Sequence, residues 1–246
     1  VVSQIQATTS EVFYPDNDGI PMANNTVQFR WIVVIQQNLS WLFADHPNVF
    51  IAGDLFWYPI EGCNTIVVAP DILVAFGRPK GDRLSYKQWE ENNTPPQVIF
   101  EIISPSNTPE EMDKKLLFFD RYGVEEYYIY DPKKNHLRCL LRNRQGLTQI
   151  PYVHNWISPR MKIRFDMSGT ELQFYRPDGE RFKSYAEIAQ QLTEFQQQLD
   201  QTTQQLDQTT QQLDQTTQQL EQERQRSQAL AERLRAMGID PNQLEA

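Results

Sequence analysis

Asp71, Glu101 and Lys115 are the residues of this chain whose types and settings can do chemistry. Asp71 follows Pro70 inside the apolar run IVVAPDILVAF, Glu101 lies within VIFEII, and Lys115 falls in the helix-like stretch that follows. A strand interior is an expensive place for a charge unless the charge is paired, hydrogen-bonded or bound to a metal. Two carboxylates in such settings supply hard oxygen ligands of the kind Mg²⁺ takes. A nearby ammonium would orient the attacking water and stabilise charge on a phosphoryl group, which together is the chemistry of phosphodiester cleavage. Blander readings stand beside this one. Asp71 is also a turn or edge residue capping a backbone group after Pro70. Lys115 also sits four residues after Glu111, the spacing of a helix-surface ion pair. Glu101 is harder to dismiss, because its apolar neighbours on both sides predict a strand buried on both faces, where a glutamate needs at least a buried cationic partner.

Weaker candidates surround these three. Asp54, in AGDLFW, shares strand alternation with Ala52 and Phe56 and is a third acid that can face inward. Arg78, Lys80, Arg83 and Lys87 form the densest basic cluster of the core, in a long loop over 77–97 that reads as functional or simply as solvated. Phosphate contacts from such residues position nucleic acid without reading its sequence. His46, His136 and His154 have no ligand spacing, and Cys63 and Cys139 read as free thiols in a reducing compartment. Neither a Gly-rich phosphate loop nor a serine nucleophile elbow occurs.

The elements that must position these residues follow from periodicity and punctuation. Residues 26–43 carry Val27, Trp31, Val34, Ile35, Leu39 and Leu42 near one helical stripe. Strands are predicted at 49–60, 66–76 and 97–104, with Pro70 at an edge or bulge. Ser106, Asn107 and Thr108 offer caps ahead of Pro109, and Glu110 and Glu111 suit a first turn, so a helix runs from Pro109 to about Tyr122 and closes at Gly123. A strand at 126–131, a turn at 132–135, a strand at 136–142 and a further pair near 147–153 and 162–175 complete an α/β layer with a mixed sheet. An entry segment with a turn at 16–19 precedes it.

The chain has 246 residues and a net charge of −9. Ten acidic and four basic residues follow position 185, and neither that tail nor the remainder has the composition of a general nucleic-acid-binding surface, although a local groove can be basic on an acidic protein. No apolar run reaches the roughly 18 residues of a membrane span, and no secretory signal is visible, so a cytoplasmic location is expected. The tail repeats DQTTQQL three times, and Leu192, Leu199, Leu206, Leu213 and Leu220 stand seven apart, with Leu234 in phase. That period predicts a left-handed coiled coil, weakened by Thr203, Thr210 and Thr217 at the other seam positions, and therefore a homo-oligomer. An elongated, partly disordered low-complexity tail is the competing reading. The expected organisation is an α/β domain over 1–185, a coiled-coil helix over 186–237 and a short tail over 238–246.

The stretches APDILVAFGRPKGDR, PQVIFEIISPSN and EEMDKKLLFFDRYGVEEYYIYDP resemble the Uma-type restriction-endonuclease family of bacteria. The resemblance covers about residues 20–185. It implies a restriction-endonuclease-like PD-(D/E)XK core, α/β with a mixed central sheet flanked by helices, in which Asp71 and Glu101 bind Mg²⁺ or Mn²⁺ and a basic residue assists. The general nuclease pattern puts a lysine two residues after the acid, where this chain has Ile103; in the family the lysine has moved to the next helix, where Lys115 matches. Glu111 replaces the family's helix aspartate, and a histidine of the family's first helix is absent, with Asn25 or Gln28 in its place. The expectation is a Mg²⁺-dependent DNA endonuclease. The competing expectations are an inactive nuclease-like scaffold assembled through its coiled coil, and an RNA or branched-DNA nuclease with the same site.

Overall fold

The computed structural model describes residues 12–15 and 25–238. The predicted turn at 16–19 and most of the terminal segment 238–246 lie outside the described residues. The first helix, α1 (Thr26–Leu42), starts where the Asn25 side chain accepts a hydrogen bond from the Gln28 amide at 2.9 Å. Its stripe of Trp31, Ile35 and Leu39 is buried, as spacings of four residues along a helix require.

Among the described residues eleven strands and two further helices follow: β1 (Val49–Gly53), β2 (Trp57–Tyr58), β3 (Ile72–Phe76), β4 (Tyr86–Lys87), β5 (Val98–Ile102), α2 (Pro109–Arg121), β6 (Glu126–Asp131), β7 (His136–Asn143), β8 (Gly146–Gln149), β9 (Trp156–Ile157), β10 (Arg164–Asp166), β11 (Gln173–Tyr175) and α3 (Tyr185–Ala236). A six-stranded sheet runs β1-β3-β5-β6-β7-β8. All its neighbours are antiparallel except β5 and β6, which are parallel. A parallel pair needs a crossover, and α2 is that crossover. One sheet face, including Val74, Phe100, Tyr128 and Cys139, packs under α1 and the small sheet β9–β11. The other, including Leu73, Ile99, Tyr127 and Ile129, packs under α2 and beside the β2–β4 ribbon. Both faces are covered, so the central strands β5 and β6 are buried almost throughout.

The first two predicted strands are shorter than their apolar runs. The run over 49–60 breaks at Asp54, whose φ of 52° takes the chain out of the extended region, and resumes only as β2. The run over 66–76 is a strand only from Ile72 onward. Before it, the Pro70 and Asp71 carbonyls accept a hydrogen bond from the Asp54 amide. The loop over 77–97 contains β4 and a 3-10 turn, Gln88–Glu91. Helix α2 ends at Tyr122, and Gly123 follows at φ 93°, where a Cβ would also meet the Pro95 ring at 3.3 Å.

The chain divides into two compact units, residues 1–184 and 185–246. The second contains α3, a helix of 52 residues with no buried residue, on which Leu192, Leu199, Leu206, Leu213 and Leu220 are all exposed.

Candidate active site

Register brings the candidate residues together. Ile72 on β3 pairs with Phe100 on β5, and continuing that register by one residue puts Asp71 opposite Glu101. On the far side of β3, Gly53 pairs with Ile72, so Asp54 falls beside Asp71. Glu101 pairs with Ile129 on β6, and Ile129 with Arg138 on β7. Positions 54, 71, 101, 129 and 138 therefore form one row across five strands.

Glu101 alternates with Ile99 on the face under α2, and only 3% of it is exposed. Lys115 reaches it from above. On α2 the buried Met112 and Phe119 mark the inward stripe, and position 115 lies three residues after one and four before the other. The lysine thus points into the protein, and its ammonium donates to Glu101 Oε2 at 2.8 Å. Glu111 does not take Lys115 as a surface partner; it accepts from Asn107 Nδ2 at 3.2 Å instead. Lys114 is the solvent-facing lysine, paired with Glu110 at 2.8 Å.

Glu101 Oε1 is buried with no hydrogen-bond partner. An orphaned buried carboxylate oxygen is costly unless something occupies it. Burial pushes the Glu101 carboxyl up to about 8; Lys115 opposes the rise and Asp71 adds to it. Burial also raises Asp71, although its Oδ2 accepts a 2.6 Å hydrogen bond from the Ile102 amide. Burial works against the charge on Lys115, but the Glu101 carboxylate, followed by Asp71 and Glu111, holds its pKa above the ordinary lysine value.

Gln28, on the first turn of α1, is 9% exposed and directs Nε2 at Asp71 Oδ1 at 3.5 Å, a long contact. Gln28, rather than Asn25, is the residue of this region that meets the site, since Asn25 is the helix cap. Asp54 is exposed, and its charge acts on Asp71 to raise it further. Tyr127, buried on the Glu101 face, carries another hydroxyl without a partner and is electrostatically coupled to Glu101.

The basic loop cluster lies elsewhere. It follows the C-terminal end of β3, whereas Asp71 precedes the N-terminal end, so about 17 Å of strand separates them. Its cations are also engaged. Lys80 donates to the Phe43 and Ala44 carbonyls at the end of α1, at 2.6 and 2.7 Å. Arg83 pairs with Glu91 at 2.6 Å and lies over the Phe50 ring. Arg78 faces Glu91 at 3.9 Å, and Lys87 faces Glu90 at 3.3 Å. The cluster expected to contact phosphate, at 78, 80, 83 and 87, thus fastens the loop to α1, β1 and the 3-10 turn, at the end of the sheet away from the carboxylates.

The donor set fits a hard divalent cation, on the ground of the buried, partnerless Glu101 oxygen beside Asp71. Among the described residues no three His, Cys, Asp or Glu side chains group closely enough to hold a metal by themselves. A cation here would rest on two carboxylates and complete its shell with water and substrate oxygen, which is the habit of Mg²⁺.

The structure thus has a mixed sheet with a parallel β5–α2–β6 crossover, and two carboxylates and a lysine meet at one end of it. The chain belongs to the Uma2 family, described as "Putative restriction endonuclease", whose model matches residues 24–174. Among solved structures it is similar to a protein from Anabaena variabilis ATCC 29413 titled a "putative nuclease belonging to DUF820", with 14% identity over 56% of this chain and 74% of that one and a TM-score of 0.42. The curated proteins give no match. No helix among the described residues is long and apolar enough to cross a membrane.

Proposed function

We propose that the protein is a Mg²⁺-dependent endonuclease that hydrolyses phosphodiester bonds of DNA, with Asp71 and Glu101 holding the cation and Lys115 completing the site. The observation that carries this reading is the divided Glu101 carboxylate, with one oxygen on the Lys115 ammonium at 2.8 Å and the other buried and open. When bound, the cation would polarise a phosphate oxygen and lower the pKa of an attacking water. The protein's own residues do the rest. The Ile102 amide fixes Asp71 through Oδ2 and leaves Oδ1 with only the long Gln28 contact. Lys115 opposes the rise that burial imposes on the Glu101 carboxyl. Its ammonium also stabilises negative charge that builds on the phosphoryl oxygens in the transition state. Lys115 performs from a helix what a lysine at position 103 would perform from the strand, and Ile103 there packs against the α2-side core instead.

The test is nicking of supercoiled plasmid with Mg²⁺ and with EDTA, alongside calorimetric titration with Mn²⁺. Wild type is expected to nick only with metal. Lys115→Ala should lose about 10²–10³-fold in rate, and Asp71→Asn or Glu101→Gln should lose Mn²⁺ binding altogether. Cleavage surviving all three substitutions would refute the site.

The exposed leucine seam of α3 supports a second element of the proposal, assembly of copies through a coiled coil. It is equally compatible with a nuclease-like scaffold, which a folded protein showing neither Mn²⁺ binding nor nicking would favour.

A further inference from the structure

The Glu101 row continues past the carboxylates to a cation the loop cluster does not include. Arg138 on β7 shares a face with Glu101, because Glu101 pairs with Ile129 and Ile129 with Arg138. At the usual strand spacing their backbones are about 10 Å apart. Alternation agrees: Leu137 and Cys139 enter the core under α1, while Leu140 enters the core under α2, the side of Glu101.

Arg138 lines a cavity of about 320 Å³ together with Ile103, Met112, Asp113, Lys134 and His136. The cavity therefore opens beside the active-site face, between the start of α2 and the ends of β5, β6 and β7. Arg138 is half-buried, and among the described residues its guanidinium makes no hydrogen bond or ion pair. This sets it apart from Arg83, Arg142 and Arg160, each of which is paired with a carboxylate. Its charge is felt at the buried Tyr127 hydroxyl. Of the acids at the cavity, Asp131 is already committed to Lys134 at 3.4 Å and to the Lys133 and Lys134 amides. Asp113 is exposed, at the rim. A planar guanidinium left unpaired in a recess is suited to bidentate capture of a phosphate.

We propose that Arg138 binds a backbone phosphate of the nucleic-acid substrate, next to the phosphodiester held at Asp71 and Glu101. Successive phosphates of a strand lie roughly 6–7 Å apart, so a separation of about 10 Å between backbones, closed by two long side chains, spans one such step. The assignment rests on the nuclease reading for the identity of the ligand. It also moves the substrate path from the 77–97 loop to the opposite end of the sheet. Arg138 is a substrate-positioning residue with no part in the bond-breaking step.

The experiment measures binding without cleavage: fluorescence anisotropy of a labelled duplex oligonucleotide in EDTA at several salt concentrations, with full-length protein. Arg138→Gln should weaken binding about five- to tenfold and make the slope of log K against log salt shallower by about 0.9, the loss of one phosphate contact. Arg138→Lys should restore the slope but only part of the affinity. Mn²⁺ affinity should be unchanged in both, which separates this residue from the carboxylates and shows that the variants fold. Duplex binding that depends on Arg138 in a protein that never nicks would keep this assignment and refute the hydrolase. Nicking and binding with wild-type KM and salt slope in Arg138→Gln would keep the hydrolase and overturn the assignment. A wild-type protein that binds no duplex at all overturns it as well.

Discussion

At the scale of single residues, the raised pKa of Glu101 ties cation binding to pH. A cation must displace the proton this carboxyl holds up to about pH 8. Mn²⁺ affinity should therefore climb by about tenfold per pH unit below that point and level off above it, with close to one proton released per metal at about pH 6.5. Calorimetry in two buffers of different ionisation heat measures both, and a flat profile would remove Glu101 from the cation. Folding without metal runs the other way. The native state keeps a proton that the unfolded chain gives up near 4.5, so this group's contribution to stability is complete below about 4.5 and fades as pH rises through about 8. Glu101 and Lys115 were legible in the sequence for one reason: each is a charge at a position that periodicity assigns to the interior. Asp71 was legible as an acid, but its hold on the Ile102 amide is a long-range contact no local pattern announces. Gln28 drew notice only as the occupant of a place where the family has histidine, although a glutamine on the Trp31–Ile35 side of α1 was a signal in itself. Arg138 was missed because its relation to Glu101 passes through two strand pairings, and pairing is not written in either strand.

At the scale of elements, α2 carries Lys115 to Glu101, and its two ends can be weighed separately. Thr108 caps it by accepting from the Glu111 amide at 3.2 Å. Thr108→Ala should reduce stability by about 1 kcal/mol in urea titration, with the slope unchanged. Phe119, fully buried between Trp57 and Tyr127, anchors the other end, and Phe119→Ala should cost about 3–5 kcal/mol. If either substitution alters the Mn²⁺ affinity of the folded protein, the helix also sets the position of Lys115. Helix α2 and strand β6 match their predicted spans closely, since caps, proline and glycine punctuate them. The runs at 49–60 and 66–76 were overextended because hydropathy cannot register a left-handed residue such as Asp54 or the carbonyl trap around Pro70. Strands β9 to β11, two or three residues each, are too short to carry a period and exist only through their partners.

At the scale of the whole molecule, α3 offers a row of leucines from 192 to 220, about 42 Å of helix, none of them covered. The threonines beside them bond back to their own helix, as Thr203 does to the Leu199 carbonyl at 2.9 Å, and so present methyl groups at little polar cost. The proposed assembly predicts a multimeric mass for the full chain in light scattering and a monomeric one for the double substitution Leu206→Asp with Leu213→Asp. A monomeric wild type would end the coiled-coil reading. The sequence displayed this element more openly than any other, because a seven-residue repeat is local, whereas the row of positions 54, 71, 101, 129 and 138 is assembled from segments that meet only in the finished sheet. That dispersal has a consequence for the cell that makes the protein. In a ribosome-bound or truncated product that lacks β6, pairing of β3 with β5 can already set Asp71 beside Glu101, yet α2 has no completed β5–β6 crossover to hold Lys115 over them. Under the proposed function, the full set of acids and lysine is therefore in place only once the crossover has closed, and a half-made copy lacks it.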